Sequence, residues 1–412
     1  MRVTWILILI LVTLVIAFVN PETQGQSQSE PIRFDQPNGI AVDSNGNIYV
    51  VNSRSARILR FSDMTGIGST AFGSRGSGVN QFDTPGGIFV DAANRIYIGD
   101  RGNNRIVQMK DMTGARWTTL GTQGGGVNQF NSPNDIFVDT AGRIYVADTA
   151  NARIVRINDI TGVGWTALGT RGREIRQFQW PYRISVDAAG RIYVLDVAIN
   201  RIAQMNDMTG EGWITFGSVG SGVNQFNLPS GLALDASGRI YVADSVNNRI
   251  VRLNNITGAE WTAFGSGGTG VNQFAGPTAI FVDAAGRIYV TDRENARVIR
   301  IADITGTGWT TLGGPSTAAS VQTQPLLQAA LKRLFTAVRI QPEWFAPSFL
   351  AENPLSRIEQ TIRAIKAACG AYQRVVGRGD TFIVAFSGGN VAATIALDSD
   401  GRIVGLALIP AC

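Results

Sequence analysis

Gln225-Phe226-Asn227-Leu228-Pro229-Ser230-Gly231-Leu232-Ala233-Leu234-Asp235, then Gly238-Arg239-Ile240-Tyr241-Val242-Ala243-Asp244 and Asn248-Arg249-Ile250-Val251-Arg252-Leu253, form one unit of a pattern that fills most of the chain. The proline of the unit recurs as Pro37, Pro85, Pro133, Pro181, Pro229 and Pro277, a constant step of 48 residues. Each unit holds four short runs rich in Ile, Val, Tyr and Phe, separated by Gly, Asn and Asp. In the first unit they are Ile40–Asp43, Asn47–Val51, Arg57–Phe61 and Ser69–Gly73, a composition that reads as strand. No helical period runs through the repeats. A four-stranded sheet with two apolar faces cannot bury both alone, so six such sheets pack face to face around an axis. The expectation is an all-β, six-bladed β-propeller over residues 34–313.

The repeated strings, Gln-Phe before a Pro, then Gly-Ile-Ala-Val-Asp, Gly-x-Ile-Tyr-Val-x-Asp and Asn-x-Arg-Ile, resemble NHL repeats. One departure stands out. The histidine usual before the arginine in that family is replaced by Ala56, Asn104, Ala152, Asn200, Asn248 and Ala296. The chain contains no histidine at all. That removes Ser-His-Asp and Cys-His nucleophile systems, a His-ligated zinc and a histidine general base. Propellers of this kind that act as streptogramin or amidating lyases depend on histidines, so none of their site residues carries over. Carboxylate or tyrosine chemistry and an oxygen-ligated ion such as calcium stay open.

Met1-Arg2 and the apolar run Trp5–Val19 read as a signal peptide or an uncleaved membrane anchor over residues 1–20. Either way the propeller is expected to be exported: periplasmic, extracellular or held at a membrane. Residues 21–33 read as a polar linker, and residues 314–324, rich in Gly, Pro, Ser and Thr, as a second one. Beyond it, Pro325–Val338 and Pro354–Val375 carry apolar residues at helical spacing, such as Ile358, Ile362, Ile365 and Cys369. Strands follow over Thr381–Ser387, Val391–Leu397 and Arg402–Ile409, with a turn at Asp398–Gly401 between the last two. Residues 325–412 therefore form a small α+β domain.

This tail resembles the cone-shaped, nuclear transport factor 2-like accessory domain of β-lactamase-related serine hydrolases. The resemblance rests on Leu334-Phe335, Trp344-Phe345-Ala346-Pro347-Ser348-Phe349-Leu350 and the ending Asp400-Gly401-Arg402-Ile403-Val404-Gly405-Leu406. It implies a packing, docking or small-ligand role. No Ser-x-x-Lys occurs, so hydrolase activity is not implied. Cys369 and Cys412, the two cysteines of the chain, either pair in an oxidising compartment or stay as buried thiols; their spacing fits no metal motif.

Within the repeats, Asp43, Asp91, Asp139, Asp187, Asp235 and Asp283 close the first strand. Asp100, Asp148, Asp196, Asp244 and Asp292 close the second, with Asn52 in the first blade. A carboxylate in every blade is read as a turn-binding device, with an axial calcium ring as the alternative. Trp117, Trp165, Trp213, Trp261 and Trp309 read as inter-blade packing. Arg57, Arg105, Arg153, Arg201, Arg249 and Arg297 read as partners of the repeated aspartates.

Function is sought where the repeat breaks. The loops from strand two to three and from strand four to the next blade share one propeller face, which varies from blade to blade. The opposite face is monotonous. On the variable face one loop diverges: Thr170-Arg171-Gly172-Arg173-Glu174-Ile175-Arg176-Gln177-Phe178-Gln179-Trp180-Pro181-Tyr182-Arg183 replaces small neutral residues with arginines and aromatics. Arginine with Trp and Tyr grips anions and stacks on flat groups. The candidate ligand-binding residues are thus Arg173, Arg176, Trp180, Tyr182 and Arg183; drift in a tolerant loop, or docking of the C-terminal domain, is the other reading. No catalytic residue, metal ligand or cofactor is assigned. The net charge is only +5, and many arginines are tied to the repeat, so nucleic acid is not expected. The expected function is a monomeric binding or scaffold module for a protein or an anionic envelope polymer, with a membrane as partner if the N-terminal segment is retained. The alternative is a histidine-free hydrolase or lyase.

Overall fold

The computed structural model describes residues 34–66, 68–314, 329–378, 381–397 and 402–411. The N-terminal run, residues 21–33, nearly all of the second linker, the Asp398–Gly401 turn and Cys412 lie outside them.

Residues 34–314 build six four-stranded antiparallel meanders, each from one contiguous stretch of chain. In the first the strands are Pro37–Val42, Ile48–Asn52, Arg57–Phe61 and Thr70–Phe72. The second strand, such as Ile144–Asp148 or Ile240–Asp244, is buried along its whole length. This is why its Ile-Tyr-Val run does not alternate with polar residues. In blades 1, 3, 4 and 6 proline, which has no N–H to donate, opens the inner strand, and a register irregularity follows it, as between Pro133 and Asp135. Short parallel pairs, such as Thr170–Arg171 with Gln177–Phe178, tie the end of one blade to the start of the next.

The inner strands touch one another in turn around the axis, and the strand Pro277–Val282 of blade 6 returns to Pro37–Val42 of blade 1. Among the described residues, closure uses no exchanged strand. Thr278 Oγ1 donates to the Pro37 carbonyl at 2.9 Å, and Arg293 Nη2 donates to Gln36 Oε1 at 3.0 Å. Phe34 seats on Gly313 of blade 6, as Phe82 seats on Gly73 at the first junction. These glycines hold positive φ, 97° at Gly73 and 78° at Gly313, and a Cβ there would overlap the phenylalanine ring.

The recurrent polar residues are architecture. Asp139 Oδ1 accepts from the amides of Ala141 and Arg143, while Oδ2 accepts from Arg143 Nε and the Tyr145 hydroxyl. The same clamp repeats at Asp91, Asp187, Asp235 and Asp283. Phe82, Phe130, Phe178, Phe226 and Phe274 are fully buried between blades, each 5.2–5.4 Å from a recurrent tryptophan ring. The position where NHL repeats usually carry histidine is left-handed backbone in all six blades, with φ from 49° to 55°. Asn tolerates that conformation best among non-glycine residues.

In the C-terminal domain, residues 329–336 are helical, and the helices Pro347–Glu352 and Leu355–Cys369 accompany a four-stranded antiparallel meander. Leu334, Phe335, Ile358, Ile362 and Ile365 share one core with Val384, Val391 and Ile395 of the sheet. The expected helix Pro354–Val375 is shorter than its apolar pattern suggested. Gly370, at φ 84°, stops it, and Tyr372–Arg378 becomes a fourth strand. Cys369 is fully buried and disulfide-bonded, and the sequence holds one other cysteine, Cys412.

Candidate functional site

The axis and the blade-4 loop are two places where the repeat breaks. Counting 48 residues at a time, one axis-facing position reads Gly39, Gly87, Asp135, Arg183, Gly231 and Ala279. Four small residues leave room for one long side chain. Arg183 fills it: Nε donates to the Ser230 carbonyl at 2.8 Å, Nη2 to the Asn38 carbonyl at 3.1 Å and Asn38 Oδ1 at 2.7 Å, and Nη1 faces Asp135 Oδ1 at 3.4 Å. Asp135 also accepts from the Ile184 amide at 3.0 Å. Burial pushes the Asp135 carboxyl up, against the pull of the Arg183 guanidinium and the amides of Ile184 and Ile136. A Cβ on Gly87 would run into the Asp135 carboxylate, so that glycine is required by its neighbour.

One guanidinium thus joins blades 1, 3, 4 and 5 across the axis. Beside it a cavity of about 100 Å³ is lined by Asp135, Arg183, Phe89, Phe137, Phe281 and Leu234. At about 30 Å³ per water that is room for a few waters, well below the several hundred Å³ typical of a small-molecule site. The sequence placed Arg183 in a surface patch; the structure places it, 4% exposed, in the propeller's interior. Tyr182, its neighbour, is half-buried with the Arg183 guanidinium 5.2 Å from its ring centre, and its carbonyl accepts from Asn134 Nδ2. These two residues belong to the axis.

Arg173, Arg176 and Trp180 are exposed. What holds Trp180 out is a local rewiring. In blade 3, Asp148 Oδ1 accepts from the Asn131 amide while Oδ2 takes Asn151 Nδ2 and Arg153 Nε; blades 2, 5 and 6 repeat this arrangement. In blade 4 Ile199 replaces that asparagine, and both oxygens of Asp196 are taken by the amides of Gln179 and Trp180, at 2.8 and 2.9 Å. Arg201 Nε is left without a partner, while Nη1 and Nη2 donate to the carbonyls of Arg173 and Gln177. Burial pushes the Arg201 guanidinium down and the Asp196 carboxyl up.

The backbone changes as well. Gln36, Thr84, Ser132, Leu228 and Gly276, which occupy the place of Trp180 in the other blades, all have positive φ, and Trp180 does not. The tryptophan escapes a left-handed conformation costly for a bulky side chain, and its amide turns to Asp196. Its side chain stays 54% exposed.

Charge is also less compensated here. In blade 1, Arg75 pairs with Asp83 at 2.8 Å. At the equivalent place Arg171 faces Gln179, whose carbonyl it contacts at 3.3 Å, and its other terminal nitrogen donates to the Ala150 carbonyl. Arg171, Arg173 and Arg176 form no ion pair among the described residues. Nor do three or more His, Cys, Asp or Glu side chains converge as a metal site would require, among those residues.

Three segments, residues 34–61, 130–157 and 226–253, match the model of the NHL repeat. They fall in blades 1, 3 and 5, and the chain carries NHL repeats on a β-propeller. No curated protein matches it. Among solved structures, a structural genomics protein of unknown function from Bacteroides thetaiotaomicron is 16% identical at TM-score 0.51, over 70% of this chain and 72% of that one. A streptogramin B lyase structure is 14% identical at TM-score 0.50, over 69% and 85%. A chain of a nidogen/laminin complex is 20% identical at TM-score 0.50, over 63% and 90%. At these identities the likeness is one of fold.

Proposed function

We propose that this chain is an exported binding or scaffold protein whose blade-4 side of the variable face engages an anionic envelope polymer or a protein. The observation that carries the reading is Trp180. The blade gives up its buried Asp196–Arg201 ion pair and instead holds the Gln179–Trp180 backbone by two amide hydrogen bonds, with the indole exposed beside Arg171 and Arg173, which form no ion pair among the described residues. A solvated loop has no use for such a change, whereas exposed Trp and Arg are the residues that dominate recognition surfaces. Carboxylate chemistry at the axis is the weaker reading, because Asp135 is buried against Arg183 and bonded to the Ile184 amide.

The test replaces Arg173, Arg176 and Trp180 together by Ser, Ser and Ala in the full chain. Retention on immobilised anionic envelope polymers and capture of envelope proteins are then measured. At roughly 1 kcal/mol or more for each interface anchor, retention falls at least about tenfold. Retention and capture equal to the parent chain overturn the reading.

A further inference from the structure

On the same face, Trp180 is one member of an exposed apolar strip. Leu228, Val246 and Val219 are 49%, 51% and 66% exposed. Backbone hydrogen bonds place the first two beside Trp180. The Val197 amide donates to the Trp180 carbonyl, Asn200 Oδ1 accepts from the Leu228 amide, and the Val246 amide donates to the Asn227 carbonyl. Val219 continues the strip through its pairing with Phe226, two residues before Leu228. Arg171 lies beside Trp180 through its contact with the Gln179 carbonyl, and the Arg173 carbonyl accepts from Arg201, which pairs across the sheet with the Asp196 that holds the Trp180 amide; Arg176 instead packs on Gly210, in the turn between the third and fourth strands of blade 4.

The described chain also enters the propeller on this face. The Gln36 carbonyl accepts from Ser53, in the turn between the second and third strands of blade 1, and Gln36 Oε1 accepts from Arg293 in the corresponding turn of blade 6. Ahead of Phe34 the sequence runs through a polar stretch of about 14 residues to the apolar segment Trp5–Val19. Such a stretch reaches at most about 50 Å when fully extended, and far less as a flexible coil. A bilayer holding Trp5–Val19 is therefore within reach of this face.

We infer that the strip formed by Trp180, Val219, Leu228 and Val246, with Arg171 and Arg173, docks on an anionic lipid surface. Tryptophan and short aliphatic side chains sit at the level of the headgroups, and arginines pair with the phosphates. Clustered cations add attraction to anionic lipid that salt screens. The inference rests on the binding reading above and names the occupant of that surface.

The experiment uses the full chain reconstituted into vesicles of phosphatidylcholine, with or without phosphatidylglycerol. An environment-sensitive fluorophore is attached through Leu228→Cys, and for control through Val163→Cys, an exposed position in the turn between the third and fourth strands of blade 3, on the opposite face. Both proteins are held on the vesicle by the N-terminal segment, so the readout reports contact of the face rather than partitioning of the chain. The expected result is a blue-shifted emission, quenched by nitroxide on the lipid chains, for the label at 228 in anionic vesicles only. Replacing Arg171 and Arg173 by Ser returns it to the value in phosphatidylcholine. Equal, water-like emission at 228 and 163 in both lipids overturns the inference. If retention on soluble anionic polymer still falls in the arginine variant, the binding reading survives that result with a polymer as the occupant; if retention is also unchanged, both readings fail.

Discussion

Blade 3 and blade 4 share a scaffold and spend it differently. In blade 3 the buried Asp148 neutralises Arg153 at 2.7 Å, and the guanidinium stacks on Trp165 with 5.6 Å to the ring centre. In blade 4 the same carboxylate position points its two oxygens at the backbone of Gln179 and Trp180, and Arg201 does not stack on Trp213. Trp213 Nε1 is left buried without a hydrogen-bond partner. A repeat that departs from its own hydrogen-bond scheme carries an energetic cost, and the departure coincides with the exposed Trp180. The axis shows the converse. There Arg183 and Asp135 also break the repeat, yet they face inward and join four blades. A break in sequence symmetry is thus not by itself a sign of a ligand; where its side chains go decides.

The largest expected effect tests the axis. Arg183→Ala removes the strut and leaves the Asp135 carboxylate buried without its cation, which costs about 3–5 kcal/mol when a buried pair is broken on one side. Asp135→Ala in the same chain relieves most of that loss, because the orphaned charge goes with it. Chemical denaturation of the single and double variants checks both. A loss below about 1 kcal/mol for the single variant would mean that the guanidinium holds nothing together.

The next test compares the two blades. Arg153→Met leaves Asp148 buried with only Asn151 and one amide, and is expected to cost about 2–4 kcal/mol. Arg201→Met removes two hydrogen bonds to carbonyls and no ion pair, for about 1–2 kcal/mol. If the two losses are equal in denaturant titrations, the blade-4 rewiring has no energetic reality. A gain-of-pattern variant sharpens the point. Ile199→Asn with Trp180→Ser supplies the missing asparagine and a residue tolerated at the left-handed position, so Arg201 recovers Asp196. The expected change is a stabilisation of about 1 kcal/mol together with loss of the exposed indole.

Much of this was legible before any coordinates. The proline step marks out the blades, and repetition correctly assigns the aspartates, arginines and tryptophans to architecture, because a residue needed in every blade is needed for stacking blades. The divergent loop and Trp180 also stand out by comparison between repeats. Arg183 does not, since along the chain it is simply the end of an arginine-rich loop. Its role is visible only across the repeats, where an arginine meets three glycines and an alanine at the same position, with an aspartate in blade 3. The loss of the Asp196–Arg201 pair had a signal too, in Ile199 standing where Asn103, Asn151, Asn247 and Asn295 occur. The extra C-terminal strand was hidden because Tyr372–Val375 continues an apolar pattern across Gly370, and a break in backbone conformation leaves little trace in periodicity.

The smallest effect per residue is the alkaline limit, and here all six blades should agree. Tyr49, Tyr97, Tyr145, Tyr193, Tyr241 and Tyr289 are held above the ordinary value of 10.0, by burial first and then by the aspartate that accepts from each hydroxyl. A hydroxyl harder to ionise in the folded state than in the unfolded one binds its proton more tightly when folded. Stability from it is complete below pH 10 and is lost as the pH rises through the folded value. Each tyrosine contributes in the same direction, so thermal stability should hold to about pH 10 and then fall steeply. A single Tyr→Phe at any blade should shed part of that slope, at a cost near neutrality of about 1 kcal/mol for the lost hydrogen bond. Blade 4 should behave like the rest, because Asp187 and Tyr193 keep the common clamp at 3.3 Å. If Tyr193→Phe left the alkaline slope intact while Tyr145→Phe flattened it, the difference between blades would extend to the monotonous face, and blade 4 would be a weakened repeat throughout, not one altered only where Trp180 is displayed.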